Sequence, residues 1–195
     1  MTKTTKQLLP ENSVLVVVDI QDKLLVKIPS AAGLVRNTGF LLDVAKLLAV
    51  PVRATVQYPK GLGPLTAEVA RRLPQPAVDK TAFSCCGAGT FFDELSLLQR
   101  PNVILAGMET HVCVGQTALD LLAAGLHVFL PVDALAARFV IDHTTALRRL
   151  EQAGAVLTTA EAIAFEWVRD SAHPQFKALS KLVICRSQET GDRSQ

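Results

Sequence analysis

No charge of one sign dominates this chain. Its 20 Lys and Arg residues stand against 18 Asp and Glu, a net charge of +2, and the signs are mixed along the sequence rather than gathered in blocks. There is thus no electrostatic footprint for nucleic acid or for an anionic membrane, and neither partner is expected. A long hydrophobic run is also missing. The richest stretch, Leu121 to Ala137, is broken by Gly125, His127, Pro131 and Asp133, and it falls short of the roughly 20 apolar residues that span a bilayer. The first residues, Met1 to Asn12, are mostly polar and carry Lys3 and Lys6. They hold no apolar segment followed by a cleavage site, so they do not read as a secretory signal, and a cytoplasmic location is expected. Cysteine is scarce: Cys85 and Cys86 are adjacent, while Cys113 and Cys185 stand alone. Four cysteines at these spacings make neither a disulfide scaffold nor a zinc site, and in a reducing compartment they are thiols. There is no internal repeat, low-complexity segment or linker.

What the chain does have is apolar bulk. Hydrophobic residues make up 49% and charged residues 19%, with a mean hydropathy of +0.29, which excludes a disordered or collagen-like protein. A length of 195 residues suits one domain. We expect an N-terminal segment (1–12), a domain (13–185) and a polar, frayed tail from Arg186 to Gln195.

Ser13 to Val18 is continuously apolar after its first residue and ends at Asp19, as a strand covered on both faces does. Further strands are predicted at Pro51 to Val56, weakly at Ala77-Val78, then at Asn102 to Ala106, Leu126 to Leu130 and Ala155 to Leu157. Between them the apolar spacing predicts helices at Ala32 to Val50, Leu65 to Leu73, Phe91 to Leu98, Cys113 to Ala124 and Val140 to Ala153. A last helical stretch covers Ala160 to Leu182 with a break at Pro174. Six strands alternating with helices predict an α/β fold, a three-layer α/β/α sandwich around a six-stranded, mostly parallel, Rossmann-like sheet.

Ligands of such sheets sit at the carboxyl ends of the strands. There this chain places Asp19 after strand one, Asp79-Lys80 after the weak strand, and Gly107-Met108-Glu109-Thr110 leading to Cys113 at a helix start. A thiol at a helix N-terminus meets unpaired N–H groups and the positive dipole end, which favour the thiolate. By position alone Cys113 reads equally as a nucleophile or as a packed core thiol. Asp19, a carboxylate after buried aliphatics, needs a partner unless it only caps a turn. Lys80 by itself is a surface lysine. Together an acid, an amine and a thiol could carry out acyl transfer, the acid taking the thiol proton and backbone amides holding an oxyanion.

Val16-Val17-Val18-Asp19-Ile20-Gln21, Lys80-Thr81-Ala82-Phe83 and Gly107-Met108-Glu109-Thr110-His111-Val112-Cys113-Val114 resemble the isochorismatase-like cysteine hydrolase superfamily. Gln57 to Pro64 and His173-Pro174-Gln175-Phe176-Lys177 are similar to its isochorismatase domain-containing branch. The resemblance implies an Asp19, Lys80, Cys113 triad, with Asp19 as base and then acid, Lys80 orienting and stabilising charge, and Cys113 attacking a carbonyl. It also implies a cis Met108–Glu109 peptide that aims the Glu109 and Cys113 amides at an oxyanion. Gln21, Tyr58 and Phe83 are candidates to bind the substrate, although Tyr58 and Phe83 equally suit an apolar core. The nicotinamidase branch carries metal-binding histidines after strand two. This chain has Thr55-Val56-Gln57-Tyr58 there and no histidine before His111, so no metal, no cofactor and not nicotinamide is expected. True isochorismatases cleave a vinyl ether without using the cysteine, so its retention leans toward a small amide or another acyl compound. The family also implies a homo-oligomer, whether a dimer, a tetramer or larger. Two rival readings are a catalytically silent binding or scaffold protein and a thiol redox protein using Cys85 and Cys86. His111 reads as a polar turn residue, Asp133 as a structural residue at the sheet edge, and Cys185 has no assigned task.

Overall fold

The computed structural model describes residues 7–191, with side chains through 188. In chain order its elements are β1 (Ser13–Val18), α1 (Asp22–Leu25), α2 (Ala31–Leu47), β2 (Val52–Gln57), α3 (Pro59–Leu62), α4 (Ala67–Ala70), β3 (Val78–Lys80) and α5 (Phe91–Leu97). There follow β4 (Asn102–Met108), α6 (Cys113–Ala123), β5 (His127–Pro131), β6 (Leu135–Ala136), α7 (Val140–Gln152), β7 (Val156–Thr158), α8 (Ala160–Val168) and α9 (Phe176–Gly191). The sheet is parallel in order β3-β2-β1-β4-β5-β7, and the two-residue β6 pairs with the end of β4. It therefore has seven strands where six were expected. The additional strand, β6, is two residues long and so carries no periodicity in the sequence.

Both faces of the sheet are covered, which explains the continuous apolar runs. On one side Leu15 and Val17 of β1 pack with Leu34, Leu41, Ile163, Trp167 and Leu179 from α2, α8 and α9. On the other, Val14, Val16 and Val18 pack with Phe91, Leu95, Val114, Leu121 and Leu150 from α5, α6 and α7. Trp167 donates its indole N–H to the buried Ser13 hydroxyl at 3.0 Å, which satisfies both groups.

Strand order reverses between β1 and β4, so this is the switch point where a crevice opens at the carboxyl ends. The register sets Val18 beside Gly107 on one side and Thr55 on the other, and Gln57 beside Lys80. Gly107 is required at this crossing. Its φ is 142°, and a Cβ there would lie 2.2 Å from the Val18 carbonyl oxygen. Gly107→Ala is expected to destabilise the protein by more than about 2 kcal/mol, read as a lowered Tm.

Two boundaries differ in ways that bear on the site. β3 reaches Lys80 and β4 reaches Met108, so both strands run further toward the crevice than the predicted Val78 and Ala106. The polar tail expected from Arg186 is instead helical through Gly191, and residues 192–195 lie outside the described residues. Arg186 bonds Asp133 at 2.8 Å, Asn37 at 3.0 Å and Glu161 at 3.2 Å. Asp133 also accepts the first amide of α8 at 2.8 Å. Polar composition suggested fraying, but an arginine with three partners in the fold ties the helix down.

Candidate active site

β1 hands the chain to Asp19, whose φ of 54° is unusual for a residue other than glycine. That turn points the carboxylate back into the crevice, where it is only 1% exposed. Its Oδ2 lies 2.7 Å from Lys80 Nζ, an ion pair with both side chains fully buried. Its Oδ1 accepts a hydrogen bond from the Thr55 hydroxyl at 2.9 Å. The Lys80 ammonium also donates to Gln57 Oε1 at 2.5 Å, Phe83 O at 2.9 Å and Ala82 O at 3.2 Å. A buried charge is tolerable only when so surrounded.

Cys113 opens α6, and its Sγ stands 4.0 Å from Gln57 Oε1. The three residues expected to act together are thus brought together around Gln57. Burial, followed by the nearby Asp19 charge and a hydrogen bond to it, pushes the Cys113 thiol up to about 12, with Lys80 pulling the other way. This corrects the expectation that the helix N-terminus would favour a thiolate. A dipole end acts over one turn, whereas here Cys113 is 7% exposed and stands beside a carboxylate. At neutral pH Cys113 is a neutral thiol with the Asp19 carboxylate beside it. The difference in thiolate absorbance between the protein and Cys113→Ala is expected to stay flat through about pH 10, and a rise near the ordinary value of about 8.5 would contradict this. The native state keeps a proton that the unfolded chain loses near 9, so this contribution to stability is present below pH 9 and lost as pH rises toward 12.

The Met108–Glu109 peptide is cis. Met108 ends β4 and is fully buried. Neither the Glu109 nor the Cys113 amide donates to a backbone carbonyl among the described residues. The Glu109 side chain is clamped by Arg138, through Nε at 2.8 Å and the backbone amide at 3.2 Å, with His111 Nδ1 at 3.5 Å from its Oε2. His111 also faces Asp142 at 3.6 Å, so it belongs to the loop's own polar cluster.

Gln21 departs from its expected role. Its fully buried amide donates to Gln57 O at 3.0 Å and Gly63 O at 2.6 Å and accepts from Gln57 N at 2.9 Å. Every face of it holds backbone in place, so it braces Gln57 rather than offering a group to substrate. Tyr58 and Phe83, open between pocket and core, are 52% and 53% exposed and so are not core. They follow Gln57 and Lys80 in the chain and put aromatic surface near the site. Sequence reasoning missed Gln57, which bridges Lys80 and Cys113. The signal that could have found it was its place at the carboxyl end of β2, next to Asp19's strand.

Cys85 is fully buried, with its Sγ 3.3 Å from the Thr55 hydroxyl, and burial pushes its thiol up. The half-buried Cys86 is pushed up to about 11, also by burial. Neither has the lowered value of a redox thiol. No group of three or more His, Cys, Asp or Glu that could hold a metal occurs among the described residues. A cavity of about 540 Å³ lies at the start of β2, lined in part by Arg53 and Arg72 and not by Asp19, Lys80 or Cys113. Those arginines already pair with Glu94 and with Asp43 and Glu68.

A parallel sheet with a buried acid, amine and thiol at its switch point defines an isochorismatase-like α/β hydrolase fold. The comparisons make the family plain: the Isochorismatase domain model matches residues 13–162, and the chain belongs to that family. It is 42% identical over 178 residues to mouse isochorismatase domain-containing protein 2A, covering 91% of this chain and 85% of the relative. Among solved structures it is similar to the MAR1 ribonuclease from Caenorhabditis elegans, at 42% identity and TM-score 0.86, covering 91% and 92% of the two chains. It is also similar to the YcaC gene product of Escherichia coli, described as an octameric hydrolase of unknown specificity, at 26% identity and TM-score 0.88, covering 98% of each chain.

Proposed function

We propose that this protein is a metal-independent cysteine hydrolase that cleaves a small amide or related acyl compound through a thioacyl-enzyme. The observation that carries the reading is the fully buried Asp19–Lys80 ion pair beside the Cys113 thiol. A buried pair of this kind contributes little net stability compared with apolar packing, so a chemical task accounts for it better than a structural one. Asp19 takes the Cys113 proton as sulfur attacks the carbonyl carbon, while the Glu109 and Cys113 amides receive the developing oxyanion. Collapse expels the amine, which takes that proton from Asp19. Water, deprotonated by Asp19, then adds to the thioester, and the carboxylic acid leaves as Cys113 recovers its proton. Lys80 keeps its charge throughout and holds Asp19 and Gln57 in place. Tyr58 and Phe83 are read as the apolar rim that meets the substrate.

Around this core the reading extends to a homo-oligomer in the cytoplasm. The octameric description of the E. coli relative and the exposed run Phe139, Val140 and Ile141 support self-association. The free state of all four cysteines fits a reducing compartment. No helix of the described residues is long and apolar enough to cross a membrane.

The test is a panel of small amides, esters and thioesters, with amine or alcohol release compared between the protein and Cys113→Ala. At least one amide is expected to be hydrolysed in a Cys113-dependent way. Because one relative is described as a ribonuclease, RNA is included in the panel. Cleavage of RNA that survives Cys113→Ala, with no acyl compound turned over, would overturn the reading.

A further inference from the structure

Thr55, Cys85 and Thr117 are fully buried polar residues beside the triad that the mechanism above does not use. Their hydrogen-bond directions can be assigned. An ionised carboxylate only accepts, so the single hydrogen of the Thr55 hydroxyl goes to Asp19 Oδ1, 2.9 Å away. The contact of 3.3 Å between that hydroxyl and Cys85 Sγ must then run from S–H to oxygen. The Cys85 backbone amide donates to Thr117 Oγ1 at 2.9 Å, and Thr117 donates to the Cys113 carbonyl at 2.7 Å, in the first turn of α6. Base and nucleophile are thereby joined by one hydrogen-bonded path that passes through Cys85. The other carboxylate oxygen, Oδ2, faces the Lys80 ammonium as an ion pair at 2.7 Å, and the Cys113 thiol also hydrogen-bonds the carboxylate.

We propose that Thr55 and Cys85 are positioning residues for Asp19: donation from the Cys85 thiol to Thr55, and from Thr55 to Oδ1, turns the carboxylate so that Oδ2 takes the Cys113 proton. The inference rests on the hydrolase reading only for naming Asp19 the base. The titratable groups facing Asp19 are Lys80 from β3, Cys113 from α6 and Cys85 from the turn at Cys85–Gly87. Cys85 stays an S–H donor at neutral pH because burial pushes its thiol up. A purely apolar neighbourhood would suit valine at position 55 as well as threonine. The hydroxyl costs desolvation unless it is used, and both of its hydrogen-bonding faces are used here.

The test follows iodoacetamide alkylation of Cys113 by mass spectrometry in a Cys86→Ser, Cys185→Ser background, from about pH 4 to 9. If Asp19 removes the thiol proton, the rate rises along an acid limb and reaches a plateau. Thr55→Val removes a donor that favours the charged carboxylate, so the limb is expected to move up by about one pH unit. Thr55→Ser keeps the hydroxyl and leaves the limb in place. Cys85→Ala moves it the same way by a smaller amount, through weaker polarisation of the Thr55 hydroxyl. A limb in folded Thr55→Val that coincides with that of Thr55→Ser overturns the proposal. Should Thr55→Val fail to fold, an unmoved limb in Cys85→Ala does so. A parent rate that climbs tenfold per pH unit with no plateau also overturns it, because Asp19 would then play no part. Alkylation requires no hydrolysis. A protein with the shifted limb that turns over no acyl compound would therefore sink the hydrolase reading alone, and one that hydrolyses with an unmoved limb would sink this inference alone.

Discussion

Asp19→Asn is expected to slow acylation of Cys113 by about 100- to 10,000-fold, the usual span for losing a positioned base. The size follows from the state of the nucleophile. With its thiol pushed up to about 12, Cys113 holds almost no thiolate at neutral pH, so attack depends on a group that removes the proton as the bond forms. Asp19 is the carboxylate on hand, and asparagine keeps its shape without its basicity. The fall should appear in the single-turnover rate with saturating acyl donor, not in the concentration needed for half saturation, since Asp19 is 1% exposed and offers little surface to bind substrate. An Asp19→Asn protein that acylates as fast as its parent would remove Asp19 from the mechanism.

Lys80→Met should have the largest effect on stability. It leaves the Asp19 carboxylate buried without its counter-ion and takes the ammonium donor from the Gln57 side-chain oxygen. Breaking one side of a buried pair costs about 3 to 5 kcal/mol. In a chain of this length that lowers Tm by roughly 6 to 20 °C. The double variant Asp19→Asn, Lys80→Met carries no stranded charge and is expected to recover much of the loss, while remaining inactive. Thermal unfolding of the two variants side by side is decisive. If the double variant is no more stable than Lys80→Met, the cost is one of packing and the electrostatic account of the pair fails.

Much of this site was legible before the fold was known, and the reason is topological. In a parallel sheet the carboxyl ends of strands share one edge, so Asp19, Lys80 and Cys113 could be placed together although 33 to 94 residues separate them. What the sequence hid were properties of the third dimension. The depth of Cys113 reverses the effect of its helix end. Gln57, Thr55 and Cys85 are uncharged or look like packing residues, and their roles exist only through partners 23 to 36 positions away. Gln21 has the composition of a ligand-binding residue, yet its amide is wholly engaged with backbone. Arg186 looked like part of a solvated tail because polarity was its only visible trait, and its three partners come from other parts of the chain.

The central claim is that Cys113 carries the acyl group. The direct measurement is intact-mass spectrometry of the protein quenched in acid during turnover of an acyl compound that it hydrolyses, followed by peptide mapping. The account predicts a mass increase equal to the acyl group, located on the peptide bearing Cys113, lost on standing at neutral pH and absent from Cys113→Ala. Turnover with no adduct on any cysteine under rapid quench, or an adduct that persists in Cys113→Ala, would contradict it.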